Sequence, residues 1–138
     1  MTRLVKGILC IVYLMLTACA ASKQAGLSDE FDKSVKAYNR LLRWHEIENA
    51  GITYVDPEIR DEYMKHADIL KKRGLSVTDY RILSSRYLPE KKTGDVITEF
   101  DYYILPSNRI KTISYHQDWA YLESSKSWKL KSGLPVFE

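Results

Sequence analysis

The spacing of apolar residues changes once along this chain, at Gly74, and that change limits what the chain can fold into. Before Gly74, apolar side chains recur every three or four residues, which is typical of amphipathic helices. After Gly74 they alternate with polar ones, which is typical of strands with one buried face. A helical half followed by a strand half predicts an α+β fold, with helices covering one face of an antiparallel sheet.

Two helices are predicted before Gly74. The first extends from about Ser28 to Asn49, with Ser28 as its cap and Gly51 as its stop signal. The second begins at Asp56-Pro57-Glu58, which combines a cap, a proline at the first helical position and an acid in the first turn. The residues between the helices predict a short extended segment: Ile52, Tyr54 and Val55.

About four strands are predicted after Gly74, at residues 76–88, 95–105, 109–122 and 127–132. The second and third strands each have one largely apolar face: Val96, Thr98, Phe100, Tyr102 and Ile104 on one, and Ile113, Tyr115, Gln117, Trp119 and Tyr121 on the other. Glu99 and Asp101 fall on the opposite side of the second strand. The strands therefore predict an antiparallel meander with its aromatic side toward the helices.

This order of elements, ending in the segment from Trp128 to Pro135, resembles the NTF2-like superfamily of cystatin-like α+β folds. The resemblance covers residues 28–135 and includes no diagnostic motif. It implies a curved sheet that forms a cone with the long helix, and members of the superfamily use this cone as a ligand pocket or enzyme site. Other members dimerise through the sheet. Five residues are expected to line such a cone: His45, Tyr38, Thr98, Tyr102 and Gln117.

An isomerase or dehydratase site in the cone would require a buried carboxylate or histidine, because burial shifts the pKa toward working pH. Asp101 and Glu99 are predicted to face outward, which leaves His45 as the candidate titrating group. His45-Glu46 begins like a zinc-protease motif, but Asn49 stands where the second histidine belongs. The sequence therefore predicts no catalytic residue, no metal site and no cofactor, and favours a protein that is not an enzyme.

Residues 1–18 have the features of a secretory signal. Arg3 and Lys6 precede an unbroken apolar run from Ile8 to Leu16, and small residues follow. The run is shorter than the about 20 apolar residues that a membrane-spanning helix needs. An uncleaved N-terminal anchor and a buried strand are the alternative interpretations.

Leu16-Thr17-Ala18-Cys19 resembles the lipobox of bacterial lipoprotein precursors. In that family the cysteine thiol receives a diacylglycerol, a peptidase cuts before the cysteine, and the new amine is acylated. The resemblance implies a signal peptide at 1–18, lipid attachment at Cys19, a lipidated tether at 19–27 and a single domain at 28–138. Ala20 and Ala21 stand where an inner-membrane retention signal would place Asp, which implies the inner leaflet of the outer membrane, facing the periplasm.

Cleavage before Cys19 would also change the charge and the cysteine content of the chain. Cys10 would be lost, so Cys19 would be the sole cysteine and no disulfide could form within one molecule. Lys and Arg together would fall from 21 to 19 against 18 Asp and Glu. A nearly neutral domain without a basic stripe is not expected to bind nucleic acid.

Two functional hypotheses follow. The first is a non-catalytic binding or assembly module of the cell envelope, with an envelope protein or a second copy bound through the sheet, because Tyr and Trp are enriched at protein interfaces. The alternative is an NTF2-like small-molecule-binding protein or enzyme, which would use the cone with His45 as its titrating group.

Overall fold

The structure, a computed structural model, describes the backbone of residues 2–138 and the side chains of residues 7–8 and 22–138. The side chains of Leu16, Thr17, Ala18 and Cys19 lie outside the described residues. No helix within the described part of the chain combines the length and the apolarity needed to cross a membrane. The elements are α1 (Thr2–Arg43), α2 (Ile47–Tyr54), α3 (Pro57–Lys72), β1 (Leu75–Leu88), β2 (Thr93–Ile104), β3 (Lys111–Leu122) and β4 (Ser127–Leu130).

The predicted α+β class is confirmed. The four strands form one antiparallel sheet in the order β1-β2-β3-β4, and the helices pack against one of its faces. The predicted start of α3 is also confirmed, since Asp56 Oδ1 accepts a hydrogen bond from the Glu58 backbone N–H at 2.8 Å and Pro57 is the first helical residue. Gly74, with φ of 78°, follows the last turn of α3 in the left-handed conformation that glycine tolerates best.

The predicted boundaries of the first helix are wrong at both ends. α1 is already helical before Ser28, across the predicted tether, and it ends at Arg43. The end is a Schellman motif, in which the Glu46 N–H donates to Leu41 O at 2.8 Å and the His45 N–H donates to Leu42 O at 3.2 Å. His45 occupies the left-handed position of this motif, with φ of 65°.

Gly51 lies inside α2 and does not end a helix. A Cβ at Gly51 would approach the Tyr63 ring to 2.7 Å, so the glycine allows α2 and α3 to pack closely. Ile52 and Tyr54 are helical, whereas the extended segment shrinks to Val55, which forms one parallel bridge with Leu130. The helical part therefore contains three helices where two were predicted.

α1 crosses the inner face of the sheet from one end to the other, and this defines two ends of the domain. At the proximal end, Leu27 O accepts a hydrogen bond from Trp128 Nε1 at 3.0 Å, beside the turns at residues 89–92 and 123–126. At the distal end, Arg43 donates to Val77 O at 3.4 Å, near the end of α3 and the loop at residues 105–110.

The core lies between α1, α3 and the inner face of the sheet, and the predicted inward faces of β2 and β3 are confirmed. The largest fully buried side chains are Trp119, Trp128, Tyr38, Tyr63, Phe31, Phe100 and Phe137. Phe31 packs against β2 at Gly94, where a Cβ would overlap the Phe31 ring. Glu99 and Asp101 face outward, as predicted, and bind Arg81.

Candidate functional site

Four of the five residues predicted to line a cone are part of the packed interior. Tyr38, Thr98 and Gln117 have exposures of 0% and Tyr102 has 3%, so solvent reaches none of them. The space between α1 and the sheet is occupied at these positions by side chains in mutual contact. The four residues therefore stabilise the core and line no solvent-accessible pocket.

Three buried tyrosines form a hydrogen-bonded group where α1, α3 and β3 meet. The Tyr38 hydroxyl lies 3.1 Å from the hydroxyls of both Tyr63 and Tyr115. Tyr115 in turn donates to Gly133 O at 2.6 Å, which holds the C-terminal segment against the sheet. Burial raises the pKa of all three phenols above the usual range of tyrosine, so they remain protonated and none can act as a base at neutral pH.

The buried amides of Asn39 and Gln117 form a second polar group, and Asn39 directly follows Tyr38 on α1. Gln117 Nε2 donates to Asn39 Oδ1 at 2.7 Å, and Trp119 Nε1 donates to Gln117 Oε1 at 3.2 Å. Asn39 Nδ2 also donates to Val35 O at 2.8 Å. The hydrogen-bonding capacity of the two amides is thus used within the core, which fixes the position of α1 on β3.

Tyr102 and Thr98 have different surroundings within the interior. The Tyr102 hydroxyl donates a hydrogen bond to the backbone O of Glu138 at 3.1 Å, and this bond holds the C-terminal segment against the sheet. Thr98 Oγ1 has no hydrogen-bond partner among the described residues, although it is fully buried. Both side chains are closed to solvent.

His45 is separate from the other four residues and lies exposed at the distal end. Its Nε2 is 3.0 Å from the Ser76 hydroxyl. The ring borders a pocket of about 150 Å³ between α2, α3 and β1. His45 therefore borders a pocket at the surface and does not lie in the space between α1 and the sheet.

A larger groove of about 420 Å³ lies between α3 and the C-terminal segment. Ile59 and Leu134 provide apolar walls, and Glu62, His66 and Lys131 provide polar ones. Lys131 is bound to Asp56 at 2.8 Å, so its charge is already neutralised within the domain. Glu62 and His66 lie one helical turn apart on α3, but their spacing gives no signal of the groove, because Leu134 comes from the distant C-terminal segment.

The outer face of the sheet carries ion pairs. Arg81 binds Asp101 at 2.9 Å and Glu99 at 3.2 Å, and its hydrogen bond lowers the pKa of Asp101 to about 2. Asp95, His116 and Asp118 have donor atoms within 4.8 Å of one another, a spacing that could hold a cation. Asp95, however, is bound to Arg86 at 2.6 Å, and His116 and Asp118 are mostly exposed.

Comparisons with known proteins show the class of this domain and no more. No protein-family model and no curated protein matches the chain. The structure is similar to a SEC-C motif containing protein from Rhodopseudomonas palustris, with a TM-score of 0.58, 12% identity, and coverage of 75% of this chain and 77% of that one. It is also similar to the intermembrane space region of the chloroplast protein ARC6, with a TM-score of 0.51, 11% identity, and coverage of 73% and 89%. At these identities the similarity establishes a shared α+β fold.

Proposed function

We propose that this protein is a lipoprotein of the bacterial cell envelope, anchored through Cys19, and that its folded domain is a non-catalytic binding or assembly module. The observation that carries the proposal is the sequence Leu16-Thr17-Ala18-Cys19 directly after a short apolar run. Ala20 and Ala21 favour the inner leaflet of the outer membrane, facing the periplasm. Two or more acyl chains hold a protein stably on a membrane where one chain is marginal.

The position at which the folded core begins supports an anchor at Cys19. Residues 22–26 are exposed, and Leu27 makes the first contact with the sheet, through Trp128 Nε1. Among the described side chains of α1, the first core residue is Phe31. Cleavage before Cys19 would therefore keep every core residue that the structure describes, and the exposed residues 22–26 would lie between the lipid and the domain.

The interior of the domain supports a role in binding rather than catalysis. Its polar groups are phenols with raised pKa values, amides bonded to each other, the Thr98 hydroxyl, and the carboxylate of Asp56, which caps α3 and binds Lys131. An envelope protein or a second copy could bind the sheet, where Leu83 and Ile97 expose 55% and 40% of their surfaces. The similar domain of ARC6 belongs to an intermembrane space, which fits a domain of this fold working between two membranes.

Metabolic labelling with radioactive palmitate tests the anchor. We expect the wild-type protein to be labelled and to sediment with membranes, whereas Cys19→Ala should lose the label and the membrane association. Cys10→Ala is the matched control, because it removes the other cysteine of the precursor and should leave labelling unchanged. Equal labelling of Cys19→Ala and wild type would exclude this attachment site.

The alternative function, a small-molecule-binding protein or enzyme that uses the interior cone, receives less support. It requires solvent access to the residues between α1 and the sheet, and Tyr38, Thr98 and Gln117 have none. His45, its expected titrating group, faces the surface pocket at the distal end. A small molecule that binds and broadens the NMR signals of Tyr38 and Gln117 would support this alternative.

A further inference from the structure

Exposed apolar side chains are concentrated at the distal end of the domain. Among the side chains that the structure describes, nine large apolar residues are exposed, and five of them are on distal segments: Trp44, Ile69, Leu105, Ile110 and Val136. Hydrogen bonds join these segments, since the Leu105 N–H donates to Gly74 O at 3.3 Å and the Arg73 guanidinium donates to Phe137 O at 3.1 Å. Trp44, at 64% exposure, is the residue type most enriched at binding hot spots.

The 150 Å³ pocket beside His45 lies at this same end. Ile47, Leu75, Val77 and Ala67 form its apolar part. His45, Lys71 and Glu48 form its polar part, and the charge of Glu48 is paired with Lys71 at 3.2 Å. An apolar cavity of about 150 Å³ can hold a benzene molecule, so this pocket is large enough for one aromatic ring or branched aliphatic side chain. A pocket of this kind can receive a single anchor residue from a partner.

Cations without acidic partners surround the apolar residues. Arg43, Arg73 and Arg109 form no ion pair with a carboxylate among the described residues, whereas Lys71 and Lys72 are bound to Glu48 and Asp68. Arg43 lies over the Trp44 ring at 4.9 Å, which presents an aromatic and a cationic group together. Arginine binds carboxylates through paired hydrogen bonds, so the charge of this end complements an acidic segment.

The backbone of His45 fixes the position of the imidazole at the pocket rim. Residues with a side chain seldom adopt the left-handed conformation, and in this domain His45, Lys92 and Lys126 do so. His45 has φ of 65° where glycine is usual at a helix end, and Gly74 fills the equivalent position after α3. This position holds the imidazole between the pocket and Ser76.

We propose that the distal end is the interaction surface of this domain, and that it binds a partner protein through a segment with one bulky apolar residue flanked by Asp or Glu. The apolar residue enters the pocket beside His45, and the acids bind Arg43, Arg73 and Arg109. This inference rests on the proposed binding function and names its surface and the chemistry of its partner. The distal end lies opposite the exposed residues 22–26 of α1, so an anchor at Cys19 would leave it free.

The test uses the full-length protein in detergent, immobilised through maleimide-biotin at Ser125→Cys in the proximal turn between β3 and β4. A phage-displayed library of random peptides serves as the probe. We expect enrichment of peptides with a Trp, Phe or Leu beside two or more acids. Binding of one synthetic peptide should weaken as salt rises, because exposed charge pairs are screened over about 10 Å at 0.1 M ionic strength.

Variants locate the site of peptide binding. Trp44→Ala and Arg109→Glu should each lower the affinity by about tenfold or more, in line with the loss of a hot-spot residue or of a charge pair. Lys91→Glu, in the proximal turn, and Ile52→Ala, at an exposed apolar position on α2, are matched controls and should leave the affinity unchanged. Thermal unfolding midpoints equal to that of the parent protein would show that each variant is folded.

Three results would overturn the proposal. The first is that the library yields no peptides that combine acids with an apolar residue. The second is that peptide binding survives both Trp44→Ala and Arg109→Glu. The third is that the protein self-associates and Trp44→Ala abolishes this association, because the distal end would then bind a second copy of the chain. Palmitate labelling is measured separately. A protein that binds the peptides at the distal end but carries no lipid would retain this inference and exclude the anchor.

Discussion

The two faces of the sheet differ in how their polar groups are satisfied. On the inner face, Gln117 and Tyr115 are fully enclosed and bond to α1 through Asn39 and Tyr38. On the outer face, Arg81 and its acidic partners remain partly exposed to water. A buried group that loses its partner cannot turn to solvent, whereas an exposed one can. The inner face should therefore determine stability, and the outer face should tolerate substitution.

The largest expected effect is that of Trp128→Ala on the inner face. Trp128 is 2% exposed, packs against Phe31 at a ring distance of 4.9 Å and bonds Leu27 O. Removal of such a side chain leaves a cavity and should lower the free energy of unfolding by about 3–5 kcal/mol. Ile97→Ala on the outer face is the control and should cost about 1 kcal/mol or less, because Ile97 is 40% exposed. Urea unfolding at pH 7 gives both values, and equal losses would contradict the assignment of the faces.

The next effect concerns the buried amide pair. Gln117→Leu keeps the approximate size of the side chain but leaves Asn39 Oδ1 and Trp119 Nε1 without a partner, which should cost about 1–3 kcal/mol for each unsatisfied group. The double variant Asn39→Leu, Gln117→Leu should lose less than the two single variants together, because it removes both ends of the bond. Additive losses in urea unfolding would show that the two amides do not stabilise each other.

The inner face could be predicted from the sequence because strand alternation reports it directly. Val96, Phe100, Tyr115 and Trp119 fall at every second or fourth position, and all four are buried. The start of α3 could also be predicted from the sequence, since Asp56 provides the cap and Pro57 the proline that is typical of the first helical position. The hydrogen bonds between Gln117 and Asn39 could not be predicted, because 78 positions separate the two residues in the sequence. The sequence does not indicate which side chain a buried polar group will contact.

The distal end was harder to predict because the residues at its helix ends differ from those that usually mark a helix end. The Schellman motif after α1 has His45 in a conformation that glycine usually adopts. Gly51, which is typical of a helix end, instead lies inside α2 and allows close contact with Tyr63. The pocket beside His45 combines residues from α2, α3 and β1. Its presence depends on how three elements pack, which the spacing of residues within each element does not specify.

The smallest expected effect tests the outer face through pH. The Arg81 hydrogen bond, followed by that of Thr112, lowers the pKa of Asp101 to about 2, against about 3.9 for an unperturbed Asp. A lowered pKa in the folded state contributes stability above about pH 4, and this contribution is lost as the pH falls toward 2. Asp101→Asn should therefore destabilise the protein at pH 7 by less than about 1 kcal/mol, as expected for an exposed ion pair, and the difference from wild type should vanish near pH 2.

Asp61→Asn is the control, because it removes an acid that forms no ion pair among the described residues. Its free energy of unfolding should match that of wild type at both pH 7 and pH 2. A difference for Asp101→Asn that persists unchanged in urea unfolding at pH 2 would show that Asp101 stabilises the sheet through contacts other than its charge.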